Sequence, residues 1–217
     1  MYSSALTQNH ESGDAAMEEQ CLHCFDVILS HLFSTPPPPT CFPGGDFPLF
    51  VTWNKADPRG GYSLRGCIGN LSPMDILVGV RKYAAVAAFE DGRFSPIAAH
   101  EVPALQCGVT LLHSYEQAAH YLDWVVGTHG VMIEFEDDHG RRLSATYLPQ
   151  VCPEQGWEQE ECIDSLVRKA GFHGRIDARL RGRIRLTRYQ GCKYSVDFAS
   201  FRQRRTDQGR WHSSWRV

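Results

Sequence analysis

The sequence lacks any apolar run approaching the ~20 residues that a membrane-spanning helix requires. Its start also lacks the basic residues followed by an apolar stretch that mark a secretory signal. We therefore expect no membrane span and a cytoplasmic or nuclear location. The net charge of −3 excludes no class of partner. Apolar residues at 42% and charged residues at 22% are typical of a globular protein, and 217 residues can bury a full core in one or two lobes.

The eight cysteines lack the regular spacing of a disulfide framework. Because the chain is long enough to fold without cross-links and carries no export signal, we expect reduced thiols. A zinc site at Cys21, His23 and Cys24 would need a second ligand pair, and no other CxxC motif exists. The glycines near Cys67 fit neither a P-loop nor a dinucleotide fingerprint. The sequence therefore predicts no metal and no cofactor.

Helical and strand patterns mix along the chain without a regular βαβ rhythm, and several connections resemble hairpins. This pattern predicts an α+β fold, with a mostly antiparallel sheet and helices packed on it. The helix before the prolines at 36–39 places Phe25 and Ile28 on an apolar stripe, with Asp26 and Ser30 on the opposite, exposed side.

Two further elements have distinct sequence signals. Ser72 and Pro73 have the residue types of an N-cap and a first helical position, which predicts a helix beginning there. Two alternating segments around Gly191 predict a last hairpin.

The chain is expected to divide into a disordered lead at residues 1–16, a domain at 17–201 and a flexible basic tail at 202–217. The segment from Arg168 to Arg205 contains twelve Lys and Arg residues but only two Asp residues, which is an excess of ten positive charges. Such a block can contact nucleic acid, but a solvated face with outward-pointing arginines is the favoured interpretation.

The segment YSLRGCIG, residues 62–69, predicts a strand that presents a cysteine. Alternation would point Leu64, Gly66 and Ile68 toward the core and Arg65 and Cys67 to the other face.

A guanidinium beside a thiol favours the thiolate, so Arg65 is predicted to tune Cys67 as a nucleophile. Gly66 and Gly69 would let a substrate approach the backbone, and amide N–H groups nearby could bind an oxyanion. Ile68 completes this predicted substrate-binding segment. The alternative is that Cys67 merely fills space, because cysteine is among the most buried residue types.

Several segments occur in an order that resembles the AMMECR family, named for a chromosomal region linked to Alport syndrome, midface hypoplasia and elliptocytosis. They are LFVTW, LRGCIG, GRFSP, LDWVVGTHGVMIEF, ATYLPQV, EQGW and DSLVRKAGF. The agreement runs from about Glu18 to Phe201 and fits the eukaryotic branch best. The family's hallmark is Arg-Gly-Cys-Ile-Gly, matched by Arg65 to Gly69. The resemblance implies an α+β fold with an antiparallel sheet but supplies no established reaction.

Further site residues are predicted within these matching segments. His129 is the first choice of base for Cys67, and the alternative is a loop histidine that caps a turn. Arg93 would bind a carboxylate or phosphate, or else brace its own turn. Tyr147, Gln155 and Trp157 would line a cleft, or else pack beneath their loop.

Two functions remain after this reasoning. The first is a cofactor-free enzyme with Cys67 as nucleophile, acting on a small carbonyl or acyl compound. The second is a non-catalytic binding or adaptor module, nuclear in one version, that holds a peptide or ligand in the same groove. The partner would be an unidentified small molecule or protein.

Overall fold

The structure, a computed structural model, describes residues 3–215 and 217, with side chains from Asp14 onward. The described helices, apart from a 3-10 turn at Ala99–Ala104, are α1 (Ser3–Leu32), α2 (Ile76–Phe89), α3 (Val151–Gln155), α4 (Gln159–Lys169), α5 (Ala178–Arg181) and α6 (Phe198–Asp207). The described strands are β1 (Asp46–Ala56), β2 (Tyr62–Asp75), β3 (Leu105–Gln117), β4 (Gly130–Glu136), β5 (Arg142–Tyr147) and β6 (Arg185–Asp197).

The strands form a six-stranded antiparallel sheet in the order β2-β1-β3-β6-β4-β5, and helices pack on it. This confirms the predicted α+β class. The chain divides into two compact units: the first comprises residues 1–111 and 193–217, and the second comprises 112–192. The strands β3 and β6 contribute residues to both units.

The apolar core of the first unit is built from α1, α2 and the inner face of β1 and β3. It includes Phe25, Trp53 and Val109, all without solvent exposure. Phe25 packs edge-on against Trp53, with 5.0 Å between the ring centroids. Trp53 also donates its indole N–H to the carbonyl of Ala84 on α2. These contacts fix the helices against the strands that carry the candidate site.

The prediction that the polar side of α1 is exposed is wrong, because residues 20–30 are buried on every side of the helix. Asp26 has no solvent exposure, and Ser30 is also buried. The partner of Asp26 is Arg205, which is itself fully buried and donates from Nε and Nη2. Arg205 Nη1 reaches Glu19 at 2.9 Å. A charged network therefore closes the side of α1 that the sequence assigned to solvent.

The C-terminal segment differs from the predicted flexible tail. Arg205 lies within α6, and Trp215 is also buried. At the other end, residues 1 and 2 of the predicted disordered lead lie outside the described residues, and α1 begins at Ser3.

The predicted start of the second helix is also wrong. The strand β2 continues through Ser72 and Pro73, because its end pairs with the beginning of β1, with Asp75 opposite Asp46. The helix α2 is capped instead by Asp75, whose side chain accepts the N–H of Leu77 at 2.7 Å. The predicted last hairpin is replaced by one continuous strand, β6.

The second unit has its own apolar core, in which β4 packs against α4 through residues such as Ile133, Ile163 and Leu166. Cys152 and Cys162 form a disulfide there, with 6.1 Å between their Cα atoms. The expectation of reduced thiols is wrong for this pair, and the other six cysteines are free. Within the described residues, none of the helices combines the length and apolarity that a membrane crossing demands.

The buried charge network yields the first prediction. In Arg205→Met, the carboxylate of Asp26 would remain buried without its main partner, so we expect the free energy of unfolding to fall by about 3–5 kcal/mol. The neighbouring Arg204 is the matched control, because its side chain is 57% exposed in its ion pair with Glu18. Arg204→Met should cost less than about 1 kcal/mol. Urea denaturation of both variants measures the difference, and equal losses would contradict a special role for the buried pair.

Candidate active site

The strand that carries Cys67 contains a β-bulge. Trp53 lies opposite Gly66 while the next residue, Asn54, lies opposite Leu64, so Arg65 is the extra residue. An extra residue shifts the alternation of side chains between the two faces of a strand. Leu64 is consequently 43% exposed, and the prediction that it points into the core is wrong.

Cys67 lies on the face of the sheet opposite the core. Its Cα partner on β1 is Thr52, whose hydroxyl donates to Cys67 Sγ over 3.3 Å. Cys67 is half-buried, which leaves part of the residue open to solvent. The thiol is therefore presented on a polar face, and it already has one hydroxyl donor.

Next to Thr52 on this face, the side chains of Lys193 and Ser195 fill the space over Gly108. Gly108 on β3 lies opposite Thr52 and carries no side chain. A Cβ placed on Gly108 would lie 3.1 Å from Lys193 Cε and 3.1 Å from Ser195 Oγ, so both side chains reach over this glycine. Among the described residues, Lys193 has no carboxylate partner. This row is not predictable from the sequence, because it arises from the register between β2 and β1 and between β1 and β3.

The glycines of the hallmark segment have packing roles. A Cβ on Gly66 would lie 2.1 Å from the carbonyl oxygen of Ala87, so this position lets α2 approach the strand. A Cβ on Gly69 would lie 2.5 Å from the ring of Phe50. Ile68 packs against the core. The atoms of the protein itself therefore occupy the space that the sequence analysis assigned to a substrate beside Gly66 and Gly69.

Arg65 joins β2 to residues 95–101 and not to the thiol. Its Nε donates to Glu101 Oε1 at 3.1 Å, and its Nη2 donates to Glu101 Oε2 at 3.0 Å. Its Nη1 donates to the carbonyl of Ser95 at 2.8 Å. All three guanidinium nitrogens are thus bound elsewhere. The hydrogen bond from Arg65, followed by those from Ala98 and Lys55, lowers the pKa of Glu101 to about 2 against the opposing effect of burial.

Asp91 and Arg93 hold the free edge of β2 at the cysteine. The buried carboxylate of Asp91 accepts the backbone N–H of Cys67 at 2.9 Å, and Arg93 Nη2 donates to the carbonyl of Cys67 at 3.1 Å. Arg93 also binds Asp91 through Nε and Nη2. These contacts match the interpretation in which Arg93 braces its own turn.

Arg93 is also the arginine that acts electrostatically with Cys67. The pKa of Arg93 is raised, first by its hydrogen bond to Asp91, and further by the charges of Asp91 and of a Cys67 thiolate. The same hydrogen bond from Arg93 is the largest cause that holds the pKa of Asp91 far below its ordinary value. Asp91 is consequently a poor proton acceptor at neutral pH.

His129 belongs to the second unit, whereas Cys67 belongs to the first. His129 Nδ1 accepts the backbone N–H of Val125 at 3.0 Å, which is the turn-capping contact that the sequence analysis gave as the alternative. Because Nδ1 accepts, the neutral ring carries its proton on Nε2. The pairing of His129 with Cys67 stays a prediction.

Tyr147 and Trp157 lie together in the second unit, with 5.9 Å between their ring centroids. The hydroxyl of Tyr147 is 3.0 Å from Ser165 Oγ. Lys169 Nζ lies 4.5 Å from the centroid of the Tyr147 ring, and burial lowers the pKa of this lysine. Gln155 is exposed at the end of α3. The predicted aromatic pair is thus assembled, and its role in binding a substrate stays a prediction.

The CLHC segment lies on the buried part of α1. Cys21 and Cys24 are fully buried, and His23 has 2% exposure. Across the described part of the chain, no group of three or more His, Cys, Asp or Glu side chains is arranged to hold a metal ion.

Comparisons with known proteins identify the family of this chain and agree with its fold. The sequence profile of the AMMECR1 family matches residues 6–194. An uncharacterised protein of Arabidopsis thaliana is 46% identical over 188 residues, covering 86% of this chain and 88% of that protein. An uncharacterised protein of Schizosaccharomyces pombe is 38% identical over 184 residues, covering 82% of this chain and 93% of that protein.

A solved structure agrees with these sequence matches. The crystal structure of an uncharacterised protein from Pyrococcus horikoshii superposes with a TM-score of 0.66 at 25% identity, covering 85% of this chain and 91% of that one. The chain is therefore an α+β protein of a class found in plants, fungi and archaea. It belongs to the AMMECR1 family.

The clamp between Arg65 and Glu101 predicts a pH dependence of stability. The pKa of Glu101 is about 2 in the folded protein against an ordinary 4.5, so its stabilising contribution is present above pH 4.5 and is lost as the pH falls toward 2. Glu101→Gln should lower the free energy of unfolding at neutral pH by about 2–3 kcal/mol, and the deficit should shrink at acidic pH. The control is Glu136→Gln, because the Glu136 side chain is 57% exposed in its ion pair with Arg142. Denaturant titrations across this pH range test the prediction, which fails if the deficit is independent of pH.

The packing role of Gly66 gives a second stability prediction. Gly66→Ala forces a methyl group against the carbonyl of Ala87, so we expect a loss of roughly 1–3 kcal/mol in the free energy of unfolding. Gly92→Ala is the matched control, because a Cβ there meets nothing within 4 Å. Thermal and urea unfolding compare the two, and an unaffected Gly66→Ala variant would refute the packing explanation.

Proposed function

We propose that this protein is an enzyme in which Cys67 attacks a small compound with an electrophilic carbonyl or acyl group. The observation that carries the proposal is the half-buried thiol of Cys67 on the face of the sheet opposite the core, where it accepts a hydrogen bond from the Thr52 hydroxyl. The hydroxyl of Thr52 holds the sulfur in place on this face, and the thiolate is the nucleophilic form of a cysteine.

The lysine beside Gly108 supports a substrate that carries negative charge. Thr52 borders this position on one side, and Lys193 and Ser195 reach over it on the other. An ammonium group without a carboxylate partner among the described residues can attract an anionic substituent of the substrate or a developing oxyanion. We therefore expect a small acyl or carbonyl compound that carries negative charge.

The covalent step is balanced as follows. Cys67 Sγ gives up its proton to a base and forms a bond to the substrate carbonyl carbon, and the carbonyl π electrons move to oxygen. With an acyl substrate, the leaving group then departs with its bonding pair as the carbonyl re-forms, which leaves a thioester on Cys67. His129 is retained as the proposed proton acceptor. Its lone pair at Nδ1 is the one that Val125 N–H occupies, so proton acceptance there requires release of that bond.

The test uses 4-nitrophenyl acetate, which transfers an acetyl group to reactive thiols and releases coloured nitrophenolate. Peptide mass spectrometry should locate the acetyl group on Cys67 before it appears on Cys41 or Cys192, although those two thiols are more exposed. Thr52→Val, which removes the hydroxyl donor, should slow acetylation of Cys67 about tenfold. Thr52→Ser, which keeps the hydroxyl, should restore the rate.

The controls separate reactivity from folding. Cys192→Ser should leave the acetylation of Cys67 unchanged, and Cys67→Ser should abolish the fast phase of nitrophenolate release. His129→Ala should slow the reaction at Cys67 without changing that at Cys192 if the histidine accepts the proton. The deciding comparison is with the exposed Cys41, because the thiol of Cys192 lies 3.3 Å from His113 Nε2. Acetylation of Cys41 ahead of Cys67 would contradict the catalytic proposal.

One observation favours the alternative, a non-catalytic binding module. The contacts of Arg65, Gly66, Gly69 and Arg93 are all accounted for by packing and by the clamp on β2. An architectural motif needs no reactive thiol. Under this alternative the polar face would bind a ligand without covalent change, and Cys67→Ser would keep that binding.

A further inference from the structure

A second candidate site lies in the first unit, in a groove formed by α1, the proline segment and α2. The groove has a volume of about 880 Å³, and ligand pockets commonly have volumes of roughly 300–1,000 Å³. Its lining combines apolar side chains of all three segments with His23 of α1 and with Arg81, Lys82 and Glu90.

Most of the lining is apolar. Pro37–Pro39 forms one wall, and Leu77, Val78 and Ala85 of α2 form the other. Val78 is 58% exposed, which is high for a valine on a helix that packs against a core. Prolines have no backbone N–H, so that wall offers no main-chain donors. The groove is therefore suited to the apolar part of a ligand.

The charges in the groove are predominantly positive. Arg81 and Lys82 line it together with a single acidic residue, Glu90. Neither cation has a carboxylate within ion-pair distance among the side chains described from residue 14 onward. An apolar groove with two unpaired cations is complementary to a molecule that has an apolar body and an anionic head group.

His23 is the buried polar residue of the lining. It has 2% exposure, and neither of its ring nitrogens has a hydrogen-bond partner among the described residues. Burial lowers its pKa to about 4, with further lowering by the positive charges of Arg205, Arg81 and Arg210. The ring is therefore neutral at physiological pH, with one N–H and one lone pair unused. A buried polar group without a partner costs about 1–3 kcal/mol, so an incoming acceptor would be favoured there.

We propose that this groove binds a small anionic amphipath, a molecule with an apolar chain or ring and one carboxylate or phosphate head group. The apolar part lies between the proline wall and α2, and Arg81 and Lys82 hold the head group. Arg81 and His23 both line the groove, so the head group lies against both, and it supplies the acceptor that the imidazole lacks. This site is independent of Cys67, since none of the groove residues belongs to the hallmark segment.

The probe is 8-anilinonaphthalene-1-sulfonate, which has an aromatic body and one anionic group and fluoresces when it enters an apolar site. Titration of the folded full chain should give saturable binding. Decanoate should displace the probe, whereas decyltrimethylammonium, with a similar chain and the opposite charge, should not. In NMR spectra, decanoate should shift the imidazole resonances of His23 and leave those of His139 unchanged.

Two pairs of variants localise the binding. Arg81→Glu should weaken probe affinity tenfold or more, about the effect of one ion pair worth roughly 1.4 kcal/mol. Arg59→Glu makes the same charge change on the exposed loop and should have no effect. Val78→Asp should likewise weaken binding, whereas Val125→Asp, at a valine of similar 56% exposure, should not. Circular dichroism confirms that each variant is folded.

Several outcomes would overturn the proposal. Equal affinity of the Arg81→Glu and Arg59→Glu variants would place the probe elsewhere on the surface. Displacement by decyltrimethylammonium as readily as by decanoate would remove the role of charge. Failure of decanoate to shift His23 would separate the histidine from the ligand. Loss of probe binding in Cys67→Ser would link the probe to the first site and not to this groove.

Discussion

Two buried carboxylates, Asp91 and Glu101, control how the edge strand β2 is held, and the position of the candidate thiol depends on them. An edge strand has backbone N–H and C=O groups with no neighbouring strand. Here Asp91 takes the N–H of Cys67, and Arg93 donates to its carbonyl. Two consequences follow. The strand cannot pair with another chain at this point, and Asp91 is too strongly bound to act as a proton acceptor. The loop that contains Asp91 and Arg93 therefore satisfies backbone hydrogen-bonding groups at this edge of the sheet.

The same contacts explain why the motif combines arginine, glycine and cysteine. The bulge at Arg65 turns its side chain toward Glu101, and Gly66 brings α2 close to the strand. With the backbone fixed on both sides, Cys67 has little freedom except at its own side chain, where Thr52 supplies a donor. Catalytic groups need such preorganisation, because a reacting atom that is misplaced by an ångström loses much of its rate. A structural role and a catalytic role are therefore compatible explanations of the segment that contains Arg65, Gly66 and Cys67.

The fold class, the strand at residues 62–69 and the burial of the apolar stripe of α1 could be predicted, because each follows from local periodicity. The failures share a cause. The bulge at Arg65 depends on register with β1, the end of β2 at Asp75 depends on pairing with Asp46, and the partner of Asp26 lies 179 residues away. The row of Cys67, Thr52 and Gly108 likewise arises from strand register. Such contacts join residues that are distant in the sequence, so they cannot be recognised from a single sequence. The thiol of Cys67 could therefore be identified as a candidate, but its neighbours in the structure could not.

Helix α1 presents the remaining physical problem, because a helix that is buried on every side must find partners for all its polar groups. The chain provides such a partner for Asp26, because Arg205 donates to its carboxylate. It does not do so for Gln20 Oε1, for the His23 ring or for Ser30 Oγ, which have no partner among the described residues. Their spacing of three and seven residues places them on one stripe of the helix, and His23 reaches the groove beside the prolines. A stripe built only for stability would carry apolar side chains here, as the Phe25 side of the helix does. Retaining polar groups at this cost is expected where something other than the chain itself completes their hydrogen bonds.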